Sequence, residues 1–351
     1  MYDKLYDLPH TRFAINSIGF SHDGCVLASG DDAGCIRFFD FPLGKELRRL
    51  RVTTPVTSLL WHPHKPVLFI GGARGNITVM DLHVTHEARG FSLRTGVNAP
   101  VDTLAYDACN ERLAAGVGTD IILFNHPEDP WTFGLNIPPP PPMAHVDDNK
   151  LSLPLPRALR FSDDGHSLIA VYFQHGIVSW LIKSLRPEWT IWPKRSHVGG
   201  ACFSDDGRVV VSNLFDGFDC YDIDSGEHLT NLPTPIIQNV PLPSVFIEDD
   251  QSILCGSSCG YALIYSGDMK SVIQVLRHGE HDIIQTLAYC ESEATEARFV
   301  ATASSEADTD NYIRIWRATP SVNPTQVGTR SASVVLSSLM ADNRLVPTWK
   351  E

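Results

Sequence analysis

Apolar residues fall in short runs separated by turn-forming residues, and no stretch sustains the three-to-four-residue apolar spacing of a helix. The opening unit sets the pattern. Ile15–Ser21 reads as a strand, His22-Asp23-Gly24 as a reversal and Val26–Ser29 as the returning strand. Asp32-Ala33-Gly34 then turns into Cys35–Asp40, and Glu46–Val52 supplies a fourth strand. Asp-Gly suits such a reversal because glycine accepts a positive φ at no steric cost and aspartate tolerates one. Second strands of other units are nearly all apolar, as at Val67–Ile70, Leu168–Val171 and Val209–Val211. Runs of that kind fit strands covered on both faces.

Two markers carry this unit along the chain. An aromatic residue recurs at Phe20, Trp61, Tyr106, Phe161, Phe203, Phe246 and Tyr289, at separations of 41, 45, 55, 42, 43 and 43. Three of these open the phrase Phe-Ser-x-Asp-Gly, at Phe20–Gly24, Phe161–Gly165 and Phe203–Gly207. A glycine before a short apolar strand keeps step at Gly34, Gly75, Gly118, Gly176, Gly217 and Gly260, with Asn311 in the seventh place. A period near forty residues with four strands per unit predicts an all-β chain, a seven-bladed β-propeller of four-stranded antiparallel blades. The ring must close. Lys4–Leu8 is the preferred outer strand of the seventh blade; a C-terminal strand is the competing closure. The propeller is expected over 1–317, with a proline-rich insertion at 138–156 between blades 3 and 4 and a polar tail over 318–351.

The segment Leu27–Asp40 (LASGDDAGCIRFFD) resembles the signature of the WD-repeat family, with Phe39-Asp40 where Trp-Asp usually stands, and Tyr312–Arg317 (YIRIWR) keeps a tryptophan. The resemblance covers roughly residues 3–317 and implies a protein-interaction platform. It also implies a structural tetrad of His, Ser/Thr, Asp and Trp. By position the turn aspartate falls on Ala33 in unit one and Arg74 in unit two, so only unit seven keeps a remnant: Ser304, Asp310 and Trp316. The Gly-His dipeptide of the family is nearly absent, His10, His278 and His281 standing one or more positions away.

Composition narrows the function classes. With 43% hydrophobic and 20% charged residues the chain can bury a core, and 28 basic against 41 acidic side chains leave a net charge of −13. An acidic surface disfavours nucleic acid. No apolar run reaches the roughly 18 residues of a membrane span. The start MYDKLYDLPH lacks a basic-then-apolar leader pattern, and the eight cysteines are scattered without a CxxC pair, so a cytoplasmic or nuclear location is expected.

Several motifs have the residue types of catalytic or metal sites. Gly256–Gly260 matches G-x-S-x-G, but the hydrolase elbow needs a strand–turn–helix context and this segment leads into another strand. His62-Pro63-His64 and His278-Gly279-Glu280-His281 lack the helical spacing of zincin sites and read as turn histidines. Asn76-Ile77-Thr78 is a glycosylation sequon within an expected strand. No catalytic residue, metal or cofactor is assigned. A non-enzymatic scaffold is the preferred reading. A propeller enzyme of hydrolase or lactonase type is the alternative, and would need polar groups converging from the inner-strand starts Ala14, Val56, Val101, Ala158, Val198 and Ser244.

Loops from each fourth strand to the next first strand share one face with the turns between second and third strands. Candidate partner-binding residues on that face are Arg74, Pro138, Pro140, Pro142, Lys194, Arg195, Glu306 and Asp308. Pro138 to Pro142 favour a polyproline II rod, either a ligand for an aromatic groove or a stiff spacer. The acidic run Glu291, Glu293, Glu296, Glu306, Asp308 and Asp310 is a solvated loop or a site for a basic segment.

Overall fold

The computed structural model describes residues 1–9, 12–82, 89–126, 131–142, 152–280, 282–292, 297–306 and 309–319. Among these residues every regular element is a β-strand, and 28 strands sort into seven four-stranded antiparallel sheets. The outer strand of the last sheet comes first in the chain, as β1 (Tyr2–Pro9). Blade 1 is β2 (Ile15–Phe20), β3 (Val26–Asp31), β4 (Cys35–Asp40) and β5 (Lys45–Arg51). Blade 2 is β6 (Val56–Trp61), β7 (Val67–Gly72), β8 (Asn76–Asp81) and β9 (Arg89–Arg94). Blade 3 is β10 (Val101–Asp107), β11 (Arg112–Val117), β12 (Asp120–Asn125) and β13 (Thr132–Ile137). Blade 4 is β14 (Pro156–Phe161), β15 (Ser167–Tyr172), β16 (Ile177–Leu181) and β17 (Arg186–Ile191). Blade 5 is β18 (Ala201–Phe203), β19 (Arg208–Ser212), β20 (Gly217–Asp222) and β21 (His228–Pro233). Blade 6 is β22 (Ser244–Ile247), β23 (Ser252–Cys255), β24 (Tyr261–Ser266) and β25 (Val272–Arg277). Blade 7 is β26 (Ile284–Ser292), β27 (Ala297–Ser304), β28 (Tyr312–Ala318) and β1.

The ring closes through the N-terminal strand. β1 runs antiparallel to β28, from Tyr2 opposite Ala318 to Pro9 opposite Tyr312. Ala318 thus belongs to the last strand, one residue beyond the expected boundary, and Thr319 donates its N–H to Met1 at 2.8 Å. Pro156, expected in the insertion, is the first residue of β14. Of that insertion 143–151, and of the tail 320–351, lie outside the described residues.

Seven apolar clusters hold the molecule, and each one joins two neighbouring blades. Leu27, Phe39 and Phe41 of blade 1 pack with Ala288, Phe299 and Ile313 of blade 7. Val210, Phe218 and Leu232 pack with Ile253, Leu263 and Tyr265 across the blade 5–blade 6 seam. A blade's two faces are therefore both core, which explains the continuous apolar second strands; β15 is buried at all six positions.

The aromatic marker is a seam residue. Trp61 donates its indole N–H to the Gly19 carbonyl of blade 1 at 2.9 Å. Arg112, Arg160 and Arg208 of blades 3, 4 and 5 lie over Phe161, Phe203 and Phe246 of the next blade. The residue after the marker caps the following turn: Ser21, Ser162 and Ser204 each accept a backbone N–H through their hydroxyl.

The glycine marker reports a close approach. Gly75 has φ +77°, and a Cβ there would stand 1.9 Å from the Val97 carbonyl oxygen of the loop crossing it. Only glycine lets that loop lie down on the turn. At the seventh position Asn311, 2% exposed, instead donates its amide to the carbonyls of Phe13 and Glu306.

Candidate functional site: the loop face

In each blade the inner strand starts at the end where the second-to-third turn and the inter-blade loop also lie. Register slips by one residue as that strand begins in blades 1, 2, 3, 4 and 7, making Asn16, Thr57, Asp102, Arg157 and Gln285 the extra residues. All five are half-buried, and the bulge turns Asn16, Thr57, Asp102 and Arg157 toward a neighbouring blade. Asn16 donates to the Val56 carbonyl at 2.9 Å and Thr57 to the Val101 carbonyl at 2.8 Å. Arg157 sits 3.5 Å from Asp102. Burial raises the Asp102 carboxyl above its ordinary value, and Arg157 opposes the rise. The expected inner starts Val56 and Val101 are wholly buried, so the polar positions lie one residue later than the repeat pattern indicated.

The candidate partner residues are spread round this face. Arg74 is exposed in the turn between β7 and β8. Pro138 and Pro140 are half-buried and Pro142 is exposed in the chain leaving β13. Lys194 and Arg195 are exposed in the loop from blade 4 to blade 5. Lys194 Nζ lies 3.0 Å from His228 Nδ1. The Arg195 guanidinium stacks 4.0 Å from the Phe215 ring centroid and pairs with Asp216 at 3.4 Å. Glu306 is half-buried and its backbone N–H is accepted by Asn311. Asp308, Glu293, Glu296, His10 and His281 lie outside the described residues. Glu291 pairs with Arg298 at 3.0 Å.

Sequence reading missed the apolar content of this face. Among the described residues its loops expose Phe13, Leu153, Trp192, Phe215 (67%) and Ile237 (61%), whereas at the opposite end the exposed large apolar residues are Met1 at the chain start, Leu43 and Leu181. Four of the five lie from the blade 3–4 connection to the blade 5–6 connection. Hydrogen bonds stitch that arc together: Ser152 to Gln174 at 2.7 Å, Gln174 to His197 at 2.7 Å, and the N–H groups of Ile237 and Gln238 to Ser258.

Blade 7 holds a buried polar chain with different members from those expected. The Trp316 indole N–H donates to Thr302 Oγ1 at 2.9 Å, and the same oxygen contacts His278 Nε2. His278 Nδ1 faces the Asp282 carboxylate at 3.7 Å, an electrostatic rather than a hydrogen-bonding distance. Tyr312 donates its hydroxyl to Asp282 at 2.6 Å, and its ring stacks on His278. The His278 ring holds the Asp282 carboxyl down at about 2, with Tyr312 and the Gly279 N–H acting the same way against burial. Ser304 binds the Tyr312 backbone instead, and Asp310 is exposed. Register explains the exchange. Trp316 stands opposite Val300, so its indole reaches the diagonal residue Thr302, while Ser304 is four residues, about 13 Å, along the strand.

A family model described as WD domain, G-beta repeat matches residues 3–40. That stretch is β1 to β4, the outer strand of blade 7 followed by three strands of blade 1, so the matched repeat spans the closure of the seven-bladed ring. The matched repeat and the seven-bladed ring together support a WD-repeat protein. Comparison with curated proteins gives no match. Propellers of this family commonly serve as protein-interaction scaffolds.

In this propeller the hydrolase-like motif is a packed turn. Ser258 is 3% exposed, and its hydroxyl accepts the N–H groups of Ile237 and Gln238 at 2.9 and 3.1 Å. Ser257 donates to the Tyr261 carbonyl. Among the described residues no group of three His, Cys, Asp or Glu side chains is placed to hold a metal, and no helix is long and apolar enough to cross a membrane.

His62 follows the aromatic marker and does the work of Ser21: its Nδ1 accepts the N–H groups of His64 and Lys65 at 3.0 and 3.1 Å. Burial takes the ring down to about 4, and the Lys65 cation and His64 push the same way. Protonation would also remove the acceptor that caps the turn. Burial lowers His278 likewise. A folded-state value below the unfolded one means that the unfolded chain takes up the proton first. Urea midpoints are therefore expected to fall as pH drops from 6.5 toward 4, with no such loss above 6.5. His62→Asn, whose carbonyl can still cap the turn, should flatten part of that slope; an unaltered slope would place the proton uptake elsewhere.

Proposed function

We propose that this protein is a non-enzymatic interaction scaffold whose partner protein docks on the loop face over blades 4 to 6. One observation carries the reading: the loops of this face expose five large apolar side chains, among them the aromatic residues Trp192 and Phe215, while the opposite end exposes no large aromatic among the described residues. Trp192 and Phe215 offer flat apolar area, and Arg195, stacked on Phe215, adds a planar cation; Trp and Arg are the residue types that dominate binding hot spots. Pro138, Pro140 and Pro142 and the prolines of the blade 5–6 connection stiffen the rim, so docking orders little chain. Lys194, in the loop from blade 4 to blade 5, supplies a polar rim position in this proposal. The enzyme reading finds less support. Of the five bulged inner-strand residues only Asp102 is a carboxylate, and Arg157 stands beside it.

Affinity purification from the native source tests the proposal by comparing wild type with Trp192→Ser/Phe215→Ser and with Leu43→Ser. The double variant should lose its co-purifying proteins, by about tenfold or more if two hot-spot residues are removed, and Leu43→Ser should keep them. Equal recovery from all three would remove the loop face as the docking surface.

A further inference from the structure

A groove of about 630 Å³ opens on the loop face at blade 2, away from the apolar arc. Its floor is the outer hairpin β8–β9, where Asn76 stands opposite Arg94 and Thr78 opposite Ser92. Side chains two residues apart share one face of a sheet, so these four form a single polar stripe. Arg74 closes one end from the turn before β8, and Thr53, Thr54 and Asn98 rim it from the crossing loops.

The charges in this groove are one-sided. In a chain with 41 acidic and 28 basic side chains, the lining contains Arg74 and Arg94 and, among the described residues, no Asp or Glu. Both arginines are exposed, and neither forms an ion pair or side-chain hydrogen bond with any described residue. Elsewhere on the surface, Arg49 is engaged by Glu46 and Arg195 by Asp216. Thr54 donates its hydroxyl to Asn76 Oδ1 at 3.1 Å, which fixes the amide with its NH₂ left as a donor. Two planar guanidinium forks, an oriented amide and hydroxyls make a donor-rich surface suited to carboxylates.

The shape selects an extended chain. β9 is the outermost strand of its sheet, so its outer edge pairs with no described strand and offers main-chain groups. A strand laid along it would repeat its side chains on one face every ~7 Å, the same spacing as Arg94 to Ser92 and Asn76 to Thr78. A free anion would use the arginines and leave the edge empty.

We propose that this groove binds an extended acidic segment of a partner protein, with alternate carboxylates on Arg74 and Arg94. The inference does not rest on the apolar arc of blades 4 to 6, and its test touches none of those residues. The probe is a fluorescein-labelled alternating Glu-Thr peptide, with its Gln-Thr counterpart and inorganic phosphate as comparators, followed by anisotropy at low salt. Wild type should bind the Glu-Thr peptide and not the Gln-Thr one. Arg74→Glu/Arg94→Glu should weaken binding by about tenfold or more, the scale of losing two charge-assisted contacts. The charge-matched variant Arg186→Glu/Arg277→Glu, on the outer strands of blades 4 and 6, should bind as wild type does. Three results overturn the proposal: no binding of the Glu-Thr peptide by wild type, equal loss in the charge-matched variant, or phosphate binding without peptide binding, which would make this a small-anion site.

Discussion

Removing Tyr2–Pro9 is expected to abolish cooperative thermal unfolding of the purified chain, or to leave it aggregated. The deletion strips seven residue pairings from β28 and the side chains of Tyr2 and Leu8, each 3% exposed, from two different seams. Burying two such side chains is worth roughly 3–6 kcal/mol, against a typical domain stability of about 5–15 kcal/mol. Polar links go as well. Asp7 accepts two hydrogen bonds from Arg314 at 2.7 and 2.9 Å, and Gln274 of blade 6 brackets the Tyr2 backbone. What remains is a ring with β28 as a bare edge, a template for pairing with another chain. Leu8→Ala offers a graded version, expected to lower the melting temperature while keeping one cooperative transition. If the deleted chain melted as the intact one does, β1 would have no part in holding the ring.

Trp316→Ala is expected to cost about 3–5 kcal/mol, the usual scale for emptying a buried aromatic site. Trp316 is 6% exposed in the seam between blades 6 and 7, and its indole N–H anchors Thr302. Thr302→Val separates packing from polarity: it keeps the volume while leaving the Trp316 N–H and His278 Nε2 without a partner. Each orphaned group costs about 1–3 kcal/mol. Ser304→Ala should cost less, because Ser304 serves only the Tyr312 backbone. Urea unfolding of the three variants checks the order. Equal losses for Thr302→Val and Ser304→Ala would mean that the buried chain from Trp316 to Asp282 carries no stability of its own.

Much of the ring was legible. The aromatic and glycine markers gave seven units and their phase because each marks a recurring constraint: a ring in the seam of every blade, and in six blades a turn that a loop must cross without a Cβ. Gly34, Gly75, Gly118, Gly176, Gly217 and Gly260 all adopt positive φ. The polar chain of blade 7 was only partly legible. Trp316 was identified, but its partners depend on register across β27 and β28 and on a loop from the preceding blade that supplies His278 and Asp282. The spacing His278-x-x-x-Asp282 was the one available signal. The apolar arc was illegible, since Trp192, Phe215 and Ile237 look in sequence like any other core residues between strands.

Local chemistry thus determined the strands, the turns and the repeat number, because periodicity and turn residues act over a few positions of chain, and favoured the N-terminal strand as the closing one without excluding a C-terminal strand. Tertiary structure alone decided which apolar side chains stay outside, which arginines lack a counter-charge, and which hydroxyl meets Trp316. Those outcomes depend on how blades distant in sequence are brought side by side, and a twisted sheet sets that by register and packing rather than by neighbouring residues.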